Sequence, residues 1–135
     1  MHELSIAISM VELAAEEAER RSSSRVHALH LKLGPLAGVV KEALLFSYEI
    51  ACNGTVLEGS RLIIEDTPVV IYCSLCQAEQ ILESIQRFCC PVCDAPSSDV
   101  RGGRELELVT MEITEASPEQ DADDEKEHEH AAAFG

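Results

Sequence analysis

Apolar positions near the start of the chain recur with a helical period. They fall at i, i+4, i+7, i+11 and i+14 and comprise Leu4, Ile8, Val11, Ala15 and Ala18. Most of the charged residues in this segment lie off that stripe. The spacing predicts one amphipathic helix over residues 3–20.

The segments that follow alternate between strand and helix patterns. Leu29, Leu31 and Leu33 alternate with polar residues, which predicts a half-buried strand that ends at Gly34-Pro35. A second helix is predicted over residues 39–51, with Val40, Leu44 and Ile50 among its apolar positions. Strands are predicted at 61–65, 69–72 and 104–114. The last one changes the parity of its apolar positions near Val109, so either both faces are buried or a bulge resets its register.

Charge and composition exclude several classes of function. The net charge is −15, and Trp is absent. Nucleic acids and anionic membranes both require basic surfaces, so neither is an expected partner. No apolar run reaches the roughly 20 residues of a membrane-spanning helix, and the N-terminus lacks the basic start of a signal peptide. We therefore expect a cytoplasmic protein, where six cysteines indicate metal binding or reactive thiols before disulfides.

Four of the cysteines form two C-x-x-C pairs. Cys73 and Cys76 make the first pair, Cys90 and Cys93 the second, and thirteen residues separate them. Two such pairs supply the four sulfurs of a tetrahedral zinc centre, and with all four ligands from protein the zinc would be structural. The alternatives are buried thiols or a redox motif, although a redox site needs only one pair. Cys89 has poorer spacing than Cys90 and is predicted to be a spectator.

These patterns together predict an α+β fold with two helices and a three-stranded sheet. Residues 1–72 plus 100–115 would form that domain, and residues 73–99 a small zinc-ribbon-like subdomain. Residues 116–135 are predicted to be a disordered acidic tail, because residues 115–135 carry eight acids and one lysine.

His2 is the most informative single residue. The α-amine of Met1, the amide nitrogen of His2 and its imidazole can close fused chelate rings on one metal. Several nitrogen donors in a plane suit Ni(II) or Cu(II) better than tetrahedral zinc. The alternative is a frayed terminal histidine with no role.

Many short segments, in order, carry a family resemblance from Met1 to about Glu115. Besides the cysteine pairs they are Met1-His2-Glu3-Leu4-Ser5, Leu33-Gly34-Pro35-Leu36, Glu42-Ala43-Leu44, Gly54-Thr55, Leu57-Glu58-Gly59, Ile64-Glu65-Asp66-Thr67-Pro68 and Gly103-Arg104-Glu105-Leu106. In these segments the chain resembles the HypA/HybF hydrogenase maturation proteins, which are nickel metallochaperones. The sequence departs from the family at Asp94, where a glycine turn is usual, and in its long tail.

The resemblance implies a function and a set of site residues. His2 would be the nickel ligand at the Met1 terminus, Glu3 would support that site, and the four paired cysteines would hold zinc. The implied partners are a nickel-handling GTPase of the HypB type and the large-subunit precursor of [NiFe]-hydrogenase, while some members also serve urease.

Two function classes remain open at this point. The first is a nickel-carrying maturation factor that is not an enzyme, since the chain contains no phosphate-binding loop and no recognisable catalytic constellation. The second is a zinc-ribbon adaptor that recruits a protein without delivering nickel. The sequence does not identify the recipient enzyme, the oligomeric state, the docking face or the role of the tail.

Overall fold

The computed structural model describes residues 2–114 and 129–133. It contains the helices α1 (Glu3–Arg20) and α2 (Lys41–Cys52) and a 3-10 turn at Pro35–Ala37. The strands are β1 (Val26–Leu33), β2 (Arg61–Asp66), β3 (Val69–Cys73), β4 (Ala78–Leu82), β5 (Val100–Gly102), β6 (Leu106–Thr114) and β7 (Glu129–Ala133).

The chain divides into two compact units. The first comprises the described parts of Met1–Leu31, Val39–Ile63 and Leu108–Gly135, and the second comprises Lys32–Gly38 and Ile64–Glu107. One sheet has the strand order β2-β1-β6-β7, and the other has the order β4-β3-β5. The predicted subdomain at 73–99 lies wholly within the second unit, which also includes flanking residues on both sides.

Helix α1 has the predicted bounds, but it buries a different stripe from the one expected. Leu4 and Ile8 are exposed, and the buried residues are Ala7, Met10, Val11, Ala14 and Ala18. Three alanines on this face let α1 pack closely against α2. The predicted stripe is therefore wrong at its first two positions, because short side chains allow a closer approach than Leu and Ile would.

Helix α2 begins after Val40 and buries the side that carries Leu44, Tyr48 and Cys52. The Tyr48 hydroxyl is hydrogen-bonded to Ser60 Oγ at 2.7 Å, which satisfies the one polar group of a buried ring. Val40 and Ile50, which the sequence placed on the apolar side, are exposed. The helix is thus confirmed, with only part of its predicted buried face.

The three strands of the predicted sheet, β2, β1 and β6, lie side by side. In β6, Met111 and Ile113 are buried, while Leu106, Leu108 and Val109 are half-buried, so both parities of this strand are partly covered. A fourth strand, β7, pairs antiparallel with β6, with Met111 opposite Ala132. It lies within the predicted acidic tail, at a short uncharged run of alanines beside an available strand edge. The rest of the predicted tail lies outside the described residues.

The second unit is built on a short β-hairpin with a small core. Strand β3 pairs antiparallel with β4, from Val69 opposite Leu82 to Cys73 opposite Ala78. Val69, Ile71 and Leu82 are buried together, and Leu36, Phe88 and Val100 pack against them. A core of this size provides little folding free energy by itself. A bound metal would supply the rest of the folding free energy.

Gly34 lies at a close crossing of two backbone segments within the second unit. Its amide donates to the carbonyl of Glu105 at 2.8 Å, and the amide of Leu36 donates to the carbonyl of Gly103 at 2.7 Å. A Cβ atom on Gly34 would overlap the carbonyl group of Gly103. The backbone can approach so closely only because residue 34 has no side chain.

A Gly34→Ala variant should therefore lose about 2–3 kcal/mol of unfolding free energy, since the two segments must move apart. Gly38→Ala is the matched control in the same unit, because nothing lies near its Cβ position although its φ is +75°. That control should lose only about 1 kcal/mol. Urea denaturation of the zinc-loaded protein, followed through amide signals of the second unit, measures both. Equal losses would show that the crossing is not a tight contact.

Candidate metal centres

The four paired cysteines converge on one point of the second unit. Cys73 ends β3, Cys76 follows in the next turn, and Cys90 and Cys93 enclose a second turn. All four Sγ atoms lie within 4.8 Å of one another. The Cys73–Cys93 separation is 3.5 Å and the Cys76–Cys90 separation is 3.9 Å. Zn–S bonds of about 2.3 Å in a tetrahedron require sulfurs about 3.8 Å apart, so this donor set fits zinc.

The two turns share one backbone feature, a positive φ angle at the residue after each cysteine pair. Gln77 and Asp94, the residues that directly follow each pair, both have positive φ angles, of 54° and 62°. This conformation turns the chain so that both sulfurs of a pair face the same side. Asp94 is among the residue types that tolerate this region. Its carboxylate is paired with Arg87 at 2.7 Å, which fixes the second turn.

The electrostatics of the cluster favour a bound cation. The amide of Cys76 donates to Cys73 Sγ at 3.4 Å and lowers the pKa of Cys73 to about 7. The neighbouring sulfurs of Cys93 and Cys73 raise the pKa of Cys76 to about 12. Four thiolates this close together repel one another, and a divalent cation removes that conflict while keeping all of them deprotonated.

The other two cysteines take no part in the cluster. Among the described residues, the four-sulfur group includes Cys90 and leaves out its neighbour Cys89. Cys52 is buried at the end of α2, and burial raises the pKa of its thiol. All six cysteines are free thiols.

His2 occupies the N-cap position of α1. Its φ and ψ are −83° and 106°, it is exposed, and its carbonyl accepts from the amide of Ile6 at 3.2 Å. Met1 lies outside the described residues. The amide nitrogen of an N-cap residue is not used by the helical hydrogen-bond ladder. It can therefore be given to a metal without breaking a helix hydrogen bond.

Glu3 links the start of α1 to the start of α2. Its Oε2 accepts from the amide of Val40, the N-cap of α2, at 3.2 Å. This hydrogen bond holds the pKa of the Glu3 carboxyl below its usual range. The terminal turn is thereby tied to the domain through one carboxylate. The sequence did not reveal the role of Val40, because the donor is its backbone amide and does not depend on the type of side chain.

The two histidines of β1 have local partners on β6. His30 Nε2 lies 2.8 Å from Glu112 Oε2, and His27 Nε2 lies 2.6 Å from Thr114 Oγ1. Both are half-buried members of the sheet.

Comparison with known proteins decides the family. Residues 1–113 match the family described as "Hydrogenase/urease nickel incorporation, metallochaperone, hypA". This chain belongs to the HypA family. The Hydrogenase maturation factor HypA of Chloroflexus aurantiacus is 50% identical over 112 residues, which covers 83% of this chain and 98% of that protein. The HypA of a Roseiflexus species is 45% identical over 122 residues, covering 90% of this chain and 99% of that protein. The resemblance noted in the sequence is thus confirmed.

Solved structures of HypA proteins share the fold. The solution structure of the Ni metallochaperone HypA from Helicobacter pylori has a TM-score of 0.62 at 20% identity and covers 86% of this chain and all of that one. A second HypA solution structure has a TM-score of 0.63 at 21% identity, covering 84% of this chain and 96% of that one. None of the described helices is long and apolar enough to span a membrane. HypA proteins are nickel metallochaperones of hydrogenase maturation, and the four-cysteine cluster of this member fits a structural zinc.

Proposed function

We propose that this chain carries Ni(II) at its N-terminus and delivers it to the large-subunit precursor of [NiFe]-hydrogenase, with urease as the other recipient class. The observation that carries this proposal is the placement of His2. It is exposed at the N-cap of α1, and the next residue, Glu3, is tied to Val40 at 3.2 Å. An anchored but accessible terminus can both gather donors and give up a metal.

Nickel would be held by nitrogen donors at this terminus. The α-amine of Met1, the amide nitrogen of His2 and its imidazole close fused rings in one plane, which suits Ni(II). The amide must lose its proton, and so must the amine and imidazole, so affinity falls as the pH falls. Glu3 supports the site by fixing the first turn of α1, and its negative charge lies beside the incoming cation.

Release would proceed by ligand exchange. His2 is exposed, so a recipient can approach and replace the donors one at a time without opening a buried cavity. Moderate affinity is a requirement of this mechanism, because a metal held too tightly could not be passed on. The chain itself then performs no catalysis.

We further propose that Cys73, Cys76, Cys90 and Cys93 are the zinc ligands and that the zinc is structural. All four donors come from protein, which leaves no open position for chemistry. Bound zinc would hold the two turns and the β3–β4 hairpin in one arrangement. A zinc-ribbon adaptor without nickel delivery explains the cluster equally well, but it gives no reason for the anchored His2 terminus.

The proposed partner is a GTPase of the HypB type, since the sequence contains no phosphate-binding loop of its own. We place the protein in the cytoplasm, where a reducing environment keeps six free cysteines available as thiols.

Complementation tests the proposed function. In cells that lack their own HypA, this chain should restore hydrogenase activity, and His2→Ala should restore less than about a tenth of it, because the variant lacks the imidazole donor. Hydrogenase activity in extracts, at equal chaperone abundance, is the measurement. Full restoration by the variant would reject delivery through His2.

A further inference from the structure

The outer edge of β6 is covered by a strand from the chain's own tail. In the four-stranded sheet β6 lies between β1 and β7, and β7 is the edge strand. The pairing of β6 with β7 is antiparallel and runs from Thr110 opposite Ala133 to Thr114 opposite Glu129, all within the first unit. The family match ends at residue 113, so β7 lies outside it. Without β7, the outward backbone groups of β6 would form an open sheet edge.

The backbone of β6 shows which amides point toward β7. The amide of Thr114 donates to the carbonyl of Arg25 at 3.0 Å, on the side of β1. Because the direction of the amide alternates along a strand, the amides of Ile113 and Met111 point the other way, toward β7. Met111 and Ala132, which lie opposite each other, are therefore a hydrogen-bonded pair of this ladder.

Strand β7 is a weak occupant of this edge. Three of its five residues are alanines, and alanine is depleted in strands. Thr114 and Glu129 lie opposite each other, where about two residues would close a hairpin. The segment that joins them, 115–128, is much longer than that, and its seven acids and one lysine repel one another when they are brought together. We therefore expect β7 to leave the edge easily.

The edge beneath β7 is suited to pairing with a second copy of itself. Residues 108–114 include valine, isoleucine and two threonines, which are favoured in strands, and one acid, Glu112. Two β6 strands can lie antiparallel about a two-fold axis at Met111, where the outward amide and carbonyl of each strand meet those of the other. In that register Glu112 is opposite Thr110, so no two acids face each other.

We infer that the β6 edge is a strand-addition site for a second copy of this chain, and that β7 occupies this site in the single chain. The tail opposes association in two ways. Its strand fills the edge, and residues 115–135 carry eight acids and one lysine, which repel the tail of another copy. When β7 leaves the edge, two copies pair through β6 and the assembly closes, because both edges are then filled. This inference goes beyond nickel delivery and does not depend on it.

Proline at two neighbouring positions of β7 tests the inference in the zinc-loaded full chain. Ala132→Pro removes an amide that points to β6 and should release the strand. Ala131→Pro is the matched control, because it removes an amide of the edge strand that points to solvent. At low protein concentration, hydrogen exchange of the Met111 amide should be at least about 10-fold faster in Ala132→Pro than in the wild type or the control. The Glu112 amide, which points to β1, should keep its wild-type rate in both variants.

Self-association is measured by light scattering after size-exclusion chromatography in roughly 0.5 M salt, which screens the repulsion between tails. Ala132→Pro should associate to twice the wild-type mass, at least about 10-fold more tightly than the wild type or Ala131→Pro, because the tethered competitor is lost. At high protein concentration the exchange of its Met111 amide should slow again, since a second β6 then covers that amide.

A wild-type exchange rate at Met111 in Ala132→Pro would show that β7 does not cover the edge, and would overturn the inference. Faster exchange without stronger association overturns it as well, and so does equal association in Ala131→Pro. Association that leaves the Met111 amide in fast exchange would place the contact on another surface, with the same consequence. If Glu112 also exchanges faster in Ala132→Pro, the sheet itself is affected, and deletion of residues 129–135 then decides by the same two measurements.

Discussion

A Cys90→Ser variant is expected to lose zinc and, with it, the folded structure of the second unit, while α1 and α2 remain helical. Cys90 is 1% exposed and is one of four sulfurs within 4.8 Å of one another. Zinc binding in small metal-stabilised folds provides about 10–16 kcal/mol of folding free energy. The unit's core of Val69, Ile71 and Leu82 is too small to replace that contribution.

Cys89→Ser is the matched control for this loss. It makes the same replacement of sulfur by oxygen at the adjacent residue, but Cys89 lies outside the four-sulfur group. Zinc content by mass spectrometry and amide dispersion by NMR should match the wild type. Retention of zinc in Cys90→Ser, or equal losses in both variants, would contradict the assignment of the ligands.

The second large effect is expected at the other metal centre. His2→Ala should lower the affinity for Ni(II) at least about 100-fold, because it removes the imidazole and with it one chelate ring. Zinc content should not change, since His2 belongs to the first unit and the cysteines to the second. Loss of both metals together would refute the separation of the two centres.

Nickel binding by the wild type should also weaken as the pH falls. The amine, the amide and the imidazole bind nickel only without their protons, so protons compete with the metal for every donor. Calorimetric Ni(II) titrations of the wild type at a higher and a lower pH measure this change. An affinity that does not change with pH would indicate that these nitrogen donors do not hold the metal.

Local periodicity was sufficient to predict the helices and strands, but not which of their faces are buried. The bounds of α1 and the strands β1, β2 and β6 follow from spacing, because burial imposes a period of 3.6 or 2 on the sequence. The stripe that α1 buries does not follow, since Leu4 and Ala7 compete for the core and the contact with α2 decides in favour of alanine. Strand β7 was missed for a similar reason, because pairing with a distant edge overrides local composition.

The two metal sites also differ in how far the sequence predicts them. The zinc cluster was predictable because each C-x-x-C pair encodes its own local geometry, and only the meeting of the two pairs depends on the fold. The role of Glu3 came from resemblance alone. Its contact with the Val40 amide joins residues 37 positions apart through a backbone donor, and no residue type signals such a partner.

Calorimetric titration of zinc-loaded protein with Ni(II), in three forms, tests the central claim most directly. The forms are the chain with a free Met1 amine, the same chain with that amine acetylated, and His2→Ala. We predict a one-site isotherm for the free terminus that disappears in the other two, with four-cysteine zinc intact throughout. The same isotherm in all three forms would mean that the terminus does not carry nickel, and would contradict the account.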